Sequence, residues 1–370
     1  MNSDSIPPKR LTLRGRGTNI NPTGRYEKQT RVTEGDDLDA MLEPEDLECG
    51  VQIKTQTHKD TTRSIVSTND SPDVGMEATV NPYRGCEHGC IYCFARPTHE
   101  YLGYSAGADF ESHIFVKENA AQLLAEKLSS RSWEPQIITL SGVTDPYQPL
   151  ERKLQITRSC FEVLRDFRNP AAIITKSNLI TRDIDIFVDM ASWNGIGVNM
   201  SITTLDSDLA RKMEPRASQP LRRLQAIEQL AGKGIPVSVI IGPVLPGLTD
   251  HEIPAILKAA SEAGARGAHY TMLRLPYGVK DLFQVWLEDN YPEKASKVLN
   301  HVRDVRGGRL NDPNFVTRMR GSGRYAENID DIFKLYKKKY SLNRRFHDLS
   351  TEHFRRDARS LQPDLFSQFQ

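Results

Sequence analysis

The chain has 370 residues, 38% of them hydrophobic and 26% charged, with a net charge of +1. That length holds one large catalytic domain with tails or two modest domains, and the modest apolar share leaves part of the chain as unpacked polar sequence. No run approaches the roughly 20 apolar residues of a membrane-spanning helix, and the opening MNSDSIPPKRLTLRGRG lacks the apolar core of a secretory signal, so no membrane role and a cytoplasmic location are expected.

Charge is unevenly placed. Residues 1–33 carry Lys9, Arg10, Arg14, Arg16, Arg25, Lys28 and Arg31 against Asp4 and Glu27. Residues 34–48 are acidic, and the far end is basic again through Lys337, Lys338, Lys339, Arg344, Arg345, Arg355, Arg356 and Arg359. Basic ends can grip phosphate backbones, or merely solvate a tail. Residues 1–70, rich in Pro, Gly, Asn and Thr and without periodicity, read as a largely extended or disordered arm.

From residue 77 the texture changes. The runs ATVNP (78–82), QIITL (136–140), AAIIT (171–175), IGVNMSI (196–202), PVSVII (236–241) and AHYTML (268–273) are short, rich in β-branched residues and suited to buried parallel strands. Helices lie between them. Ala120, Leu123, Leu124 and Leu128 share a face, and Leu221, Leu224, Ile227 and Leu230 form a stripe entered through Pro220. Ile253, Ile256, Leu257 and Ala260 follow a cap expected at Thr249 or Asp250, with Gly264 as the stop. Six strands alternating with helices predict an α/β fold, an open partial (β/α)6 parallel barrel over residues 77–280. Helices expected over 281–303 and 325–340 make residues 281–345 a helical C-terminal extension, and residues 346–370 read as a loosely ordered tail.

The decisive string is NPYRGCEHGCIYCFARP (81–97), directly after the first strand. In a parallel β/α array chemistry gathers in loops at the C-terminal strand ends. Cys86, Cys90 and Cys93 are spaced C-x3-C-x2-C, and Gly85 and Gly89 give the backbone freedom to wrap a cluster. Three thiolates on a four-iron cube leave one iron open to a ligand that chelates through an amine and a carboxylate. Structural zinc is the competing use of such a loop; it wants four closed ligands, and His88, lying between two cysteines, is the available fourth. Five cysteines in all, an odd number, argue against a disulfide framework. Cys160 reads as a buried apolar thiol, and Cys49 sits in the arm.

CEHGCIYC, with an aromatic residue before its third cysteine, resembles the signature of the radical S-adenosylmethionine (SAM) superfamily. The resemblance spans about residues 77–280, and within the superfamily the chain is most similar to the branch that contains spore photoproduct lyase. It implies a [4Fe-4S] cluster on Cys86, Cys90 and Cys93, and SAM as cofactor. It further implies that Thr144, Lys176 and Ser201 contact SAM and that Tyr92 packs against its adenine side. Glu214 and Arg216 of MEPR lie nearby, Arg216 completing the candidate set. The implied chemistry is reductive cleavage of SAM to a 5′-deoxyadenosyl radical that abstracts hydrogen from a substrate, in an enzyme of lyase or transferase type. A reductant such as flavodoxin or ferredoxin would be its partner. In spore photoproduct lyase a cysteine after strand two returns a hydrogen atom to the product, with a tyrosine partner. Those positions are Gly142 and Phe94 here, so the resemblance does not extend to reversal of thymine dimers by that route.

Two features bear on the substrate. Arg303, Arg306, Arg309, Arg318, Arg320 and Arg324, with Phe315 and Tyr325, could clasp phosphates and stack bases, or form a salt-bridged surface. The tail motif QPDLF (362–366) resembles the peptide by which DNA-maintenance proteins dock on the replication sliding clamp, with Gln362 as polar handle and Leu365 and Phe366 as anchors. The leading expectation is therefore action on nucleic acid, in repair or modification. The competing readings are radical chemistry on a peptide or small metabolite, and a non-enzymatic iron–sulfur protein that binds nucleic acid.

Overall fold

The computed structural model describes residues 13–26, 51–344 and 349–356. Two short strands come first, β1 (Gln56–Lys59) and β2 (Val66–Thr68), followed by β3 (Ala78–Val80), β4 (Tyr83–Arg84) and β5 (His113–Val116). The domain then alternates: helix α1 (Ala120–Ser129), β6 (Ile138–Leu140), α2 (Ile156–Asp166), β7 (Ala171–Thr175), α3 (Ile184–Ser192), β8 (Ile196–Ser201), α4 (Ser207–Met213), α5 (Pro220–Gly232), β9 (Val237–Val244), α6 (Ile253–Glu262) and β10 (Gly267–Met272). Helices α7 (Val279–Asn290), α8 (Pro292–Asp304) and α9 (Gly323–Lys339) follow.

The main sheet has the order β10-β9-β8-β7-β6-β3-β2. All six expected strands are in it and pair parallel, and β2 adds an antiparallel edge. This is the partial barrel. Pleating sends alternate side chains to opposite faces. Ala78, Val80, Ile138, Leu140, Ile173, Val198, Met200, Val237 and Val239 are buried beneath the helices. The other face carries Thr79, Thr139, Ile174, Asn199, Ser201, Ser238, Ile240, His269 and Thr271, and several of these are only half-buried. The concave side is thus polar and open, and Thr139 Oγ1 and Asn199 Oδ1 are buried there without a hydrogen-bond partner. A small second sheet, β1-β5-β4, supports the cysteine loop.

Several helix details differ from expectation. In α5, Leu221 is exposed and the buried face is Pro220, Arg223, Ala226, Ile227 and Leu230; the apolar-stripe reading passed over Arg223 because its charge is met inside. Neither Thr249 nor Asp250 caps α6 with its side chain, since the Thr249 hydroxyl accepts from Leu245 N at 3.0 Å instead. The single helix expected over 281–303 is two, because Pro292 has no N–H with which to continue α7. Helices α7 and α8 form a second apolar core with Ile91 and Tyr92 of the cysteine loop, while α9 buries Ala326, Ile329 and Phe333 in the main core. The described parts of residues 1–70 are extended chain packed onto the domain, with Arg16 and Thr18 buried. No helix among the described residues is long and apolar enough to cross a membrane.

Candidate functional site

The loop after β3 carries Cys86, Cys90 and Cys93, all unpaired thiols; Cys86 and Cys90 are buried and Cys93 is half-buried. Its path is set by backbone hydrogen bonds, Cys86 N to Phe110 O at 3.0 Å, Ile91 N to Met213 O at 3.0 Å and Cys93 N to Cys90 O at 3.1 Å. Arg96, fully buried, gathers the loop from behind. It donates to the carbonyls of Cys90 at 3.0 Å, Gly89 at 3.2 Å and Gly107 at 2.9 Å, and pairs with Glu111 at 2.5 Å. Gly89 adopts φ +66, and a side chain there would meet Glu111 Oε2 at 2.6 Å. The next residue after Cys86 is equally committed: Glu87 accepts from Thr55 Oγ1 at 2.7 Å and Leu150 N at 2.6 Å and pairs with Arg216 at 3.1 Å.

The donor set fits an iron–sulfur cluster. Burial raises the pKa of every thiol; the fields of Asp145 and Cys93 add to this at Cys86, and that of Glu214 at Cys90. Metal binding is what would make thiolates of them. One cysteine per iron is cluster ligation. Among the described residues no group of three or more His, Cys, Asp or Glu is gathered as ligands of a single ion. His88, the candidate fourth zinc ligand, has Nδ1 3.2 Å from Asp145 Oδ2.

The candidate cofactor residues divide into two groups. Lys176 Nζ donates to Ser201 Oγ at 2.6 Å and to Gly242 O at 2.9 Å, and it lies 5.9 Å from the Tyr92 ring centre. The Tyr92 hydroxyl meets Thr203 Oγ1 at 3.1 Å and also bonds Glu214. Burial pushes the Glu214 carboxyl up, but Arg223 and Lys176 outweigh it and hold the group at about 2. Lys176, Ser201 and Tyr92 therefore stand together at the C-terminal ends of β7 and β8. Thr144 and Arg216 do not join them. Thr144 donates to Gly85 O at 2.7 Å and Arg216 holds Glu87, so both brace the cysteine loop. Asp145 links the groups: burial raises its pKa, but His88, Lys176 N at 2.7 Å and Thr175 Oγ1 at 2.7 Å outweigh that and keep it below the usual range.

Sequence reasoning missed the Arg223–Glu214 and Arg96–Glu111 pairs, both fully buried; an arginine inside an apolar stripe was the available signal for the first. It also missed the arm. Gly17 N donates to Glu111 Oε2 at 2.8 Å and Arg16 to Glu111 O at 2.5 Å, while Arg25 pairs with Glu100 at 2.6 Å. Those arm arginines are consumed internally. The C-terminal cluster is partly consumed too: Arg306 is buried against backbone carbonyls, Arg318 pairs with Asp73, and the Tyr325 hydroxyl bonds Asp250 at 2.5 Å. Cys160 is fully buried in the apolar core. Gly142 adopts φ +128, a backbone that disfavours any side chain. Cys49, Gln362, Leu365 and Phe366 lie outside the described residues.

Residues 80–260 match the radical SAM superfamily. An uncharacterised protein of Mycobacterium tuberculosis (strain H37Rv) is 36% identical over 221 residues, 59% of this chain and 65% of the relative, so the match spans just under two thirds of that relative's length. An uncharacterised protein of Methanocaldococcus jannaschii is 29% identical over 226 residues, 61% of this chain and 81% of its own. Among solved structures, spore photoproduct lyase complexed with dinucleoside spore photoproduct aligns with a TM-score of 0.51 at 15% identity, covering 77% of this chain and 79% of that one; at that identity the likeness is one of fold. The parallel sheet, the thiol trio after its first parallel strand and the family match coincide, and residues 80–260 are a radical SAM domain.

Proposed function

We propose that the chain is a radical SAM enzyme that reductively cleaves SAM at a [4Fe-4S] cluster and abstracts hydrogen from nucleic acid, in repair or modification. The observation that carries the radical chemistry is the set of three unpaired thiols, two buried and one half-buried, on one braced loop at the mouth of the barrel. When bound, the cluster and SAM supply one-electron cleavage of the C5′–S bond. The chain supplies ligation, position and exclusion of water. Cys86, Cys90 and Cys93 would hold the cluster. Lys176 and Ser201, side by side, are the donors for the oxygens of SAM, and Tyr92 offers a ring fixed by its hydroxyl. Thr144 and Arg216 keep the loop in place.

Nucleic acid as substrate is favoured by the polar concave face and by Phe94, 47% exposed beside the thiols. The solved structure of like fold that holds a dinucleoside supports the same class. A cytoplasmic location with a flavodoxin or ferredoxin reductant suits free thiols, and clamp docking through Gln362, Leu365 and Phe366 suits a DNA-directed enzyme. Anaerobic reconstitution should yield about four irons per chain, and dithionite should then release 5′-deoxyadenosine from SAM. Absence of a four-iron centre, or full cleavage by Cys90→Ala, overturns the reading.

A further inference from the structure

Just past β10 the chain presents a guanidinium without a counter-ion. The backbone there is fixed by buried Arg306, which donates to Met272 O at 3.2 Å, Leu273 O at 3.2 Å and Thr317 O at 2.7 Å. Arg274 follows. Its Nη1 reaches Met319 Sδ at 3.5 Å, a weak acceptor, and among the described residues no carboxylate pairs with it. Asp73, the acid whose field reaches it, is taken by Arg318 through contacts of 2.6 and 2.8 Å. Burial and the like charge of Arg318 push the Arg274 pKa down. A half-buried, uncompensated cation is costly in the free protein, and an incoming anion relieves that cost.

One exposed ring flanks this cation and a second flanks the neighbouring Arg318. The Arg274 guanidinium carbon lies 5.1 Å from the Phe94 ring centre, and that of Arg318 lies 4.6 Å from the Phe315 ring centre. Phe94 is 47% exposed and Phe315 56%. The charges of Arg274 and Arg318 act on each other, so the two ring–guanidinium pairs are neighbours. We infer that Phe94, Arg274, Arg318 and Phe315 form a track for single-stranded nucleic acid, with Arg274 on a backbone phosphate and the two rings stacking bases. Sequence-tolerant single-strand sites combine these same elements. An acidic peptide would neutralise Arg274 but leave both ring faces unused. This inference deepens the nucleic-acid reading above and rests on it.

The test is anisotropy of a short, fluorescein-labelled single-stranded oligonucleotide with the reconstituted full chain, over a salt series. The parent protein should bind. Arg274→Gln should weaken binding about tenfold and lower the log–log salt slope by about 0.7, the share of one phosphate on a single strand. Arg274→Lys should keep the slope. Phe315→Ala, a change at an exposed position, should weaken binding at least about fivefold with the slope unchanged. Iron content reports folding of each variant. Parental affinity and slope in Arg274→Gln, or parental affinity in Phe315→Ala, overturns the track while leaving the substrate class standing. No binding by the parent overturns both. Equal displacement of the oligonucleotide by a polyglutamate peptide assigns the surface to acidic peptide instead.

Discussion

Lys176 ends a strand and leans on oxygens from two neighbouring ones, Ser201 Oγ of β8 at 2.6 Å and Gly242 O of β9 at 2.9 Å. Neither partner carries a charge, and of the nearby carboxylates Glu214 is paired with Arg223 while Asp145 accepts from the Lys176 backbone N–H. The ammonium keeps bonding capacity for an incoming carboxylate, since it has three donors. A hydrogen bond to a charged group contributes about 1.5–3 kcal/mol, which is about ten- to hundredfold in affinity. Lys176→Met is therefore expected to raise the Kd for SAM by that factor, read by equilibrium dialysis of the reconstituted protein. Thr144→Val works differently: its hydroxyl holds Gly85 O, so its loss should appear first as lost iron. Equal SAM affinity in parent and Lys176→Met would remove Lys176 from the cofactor site.

At the scale of elements, the arm is the part whose role changes most between sequence and structure. A side chain on Gly17 would fall 1.7 Å from Gly89 O, the carbonyl between Cys86 and Cys90. The arm and the cysteine loop touch backbone to backbone, and Glu111 ties both, accepting from Gly17 N and pairing with Arg96. Gly17→Ala must push the arm off or displace the loop, an overpacking cost of about 1–3 kcal/mol. The expected outcome is faster hydrogen exchange over residues 13–26 and a lower iron content per chain; unchanged values for both would show the contact to be loose. Nothing in the sequence announces this docking, because it depends on glycines meeting glycines across some seventy residues of chain. The parallel strands were legible for the opposite reason: each run carries its own alternation, as in IGVNMS, where Ile196, Val198 and Met200 are buried among the helices and Asn199 and Ser201 lie on the concave face. The cysteine loop was legible as a unit because its spacing is local. The small sheet β1-β5-β4 was not, since its strands are short and polar and gain their partners only through the tertiary fold. Thr144 and Arg216 were read from the sequence as cofactor contacts, and only the fold reveals that their partners are Gly85 O and Glu87.

Across the whole molecule, the two ends of the barrel are closed by different parts of the chain. The cysteine loop covers the C-terminal strand ends. Residues 340–344 and 349–356, after α9, lie at the other end. They begin at the free edge of the sheet, where Ala268 N donates to Leu342 O at 3.2 Å and Arg344 N to Arg266 O at 2.9 Å, shielding β10 from edge pairing. They then pass the start of β8, with Ser350 N on Asn194 O at 3.1 Å and Leu349 against Gly197. They finish beneath β7 and α1, where Arg355 N meets Phe167 O at 2.9 Å and Arg356 reaches Trp133 O at 3.1 Å. The strap thus joins elements that the alternating β/α chain leaves independent at that end. Ending the chain at Arg344 removes several hydrogen bonds of about 1 kcal/mol each and the Leu349 contact with Gly197. Melting under anaerobic conditions should fall by about 5–10 °C, scaled from the few degrees per kcal/mol of large domains. Iron content should hold, because the thiols sit at the far end of the strands. An unchanged Tm would make the strap a passive surface segment, whereas loss of iron at an otherwise folded domain would show that the two ends of the barrel are mechanically coupled.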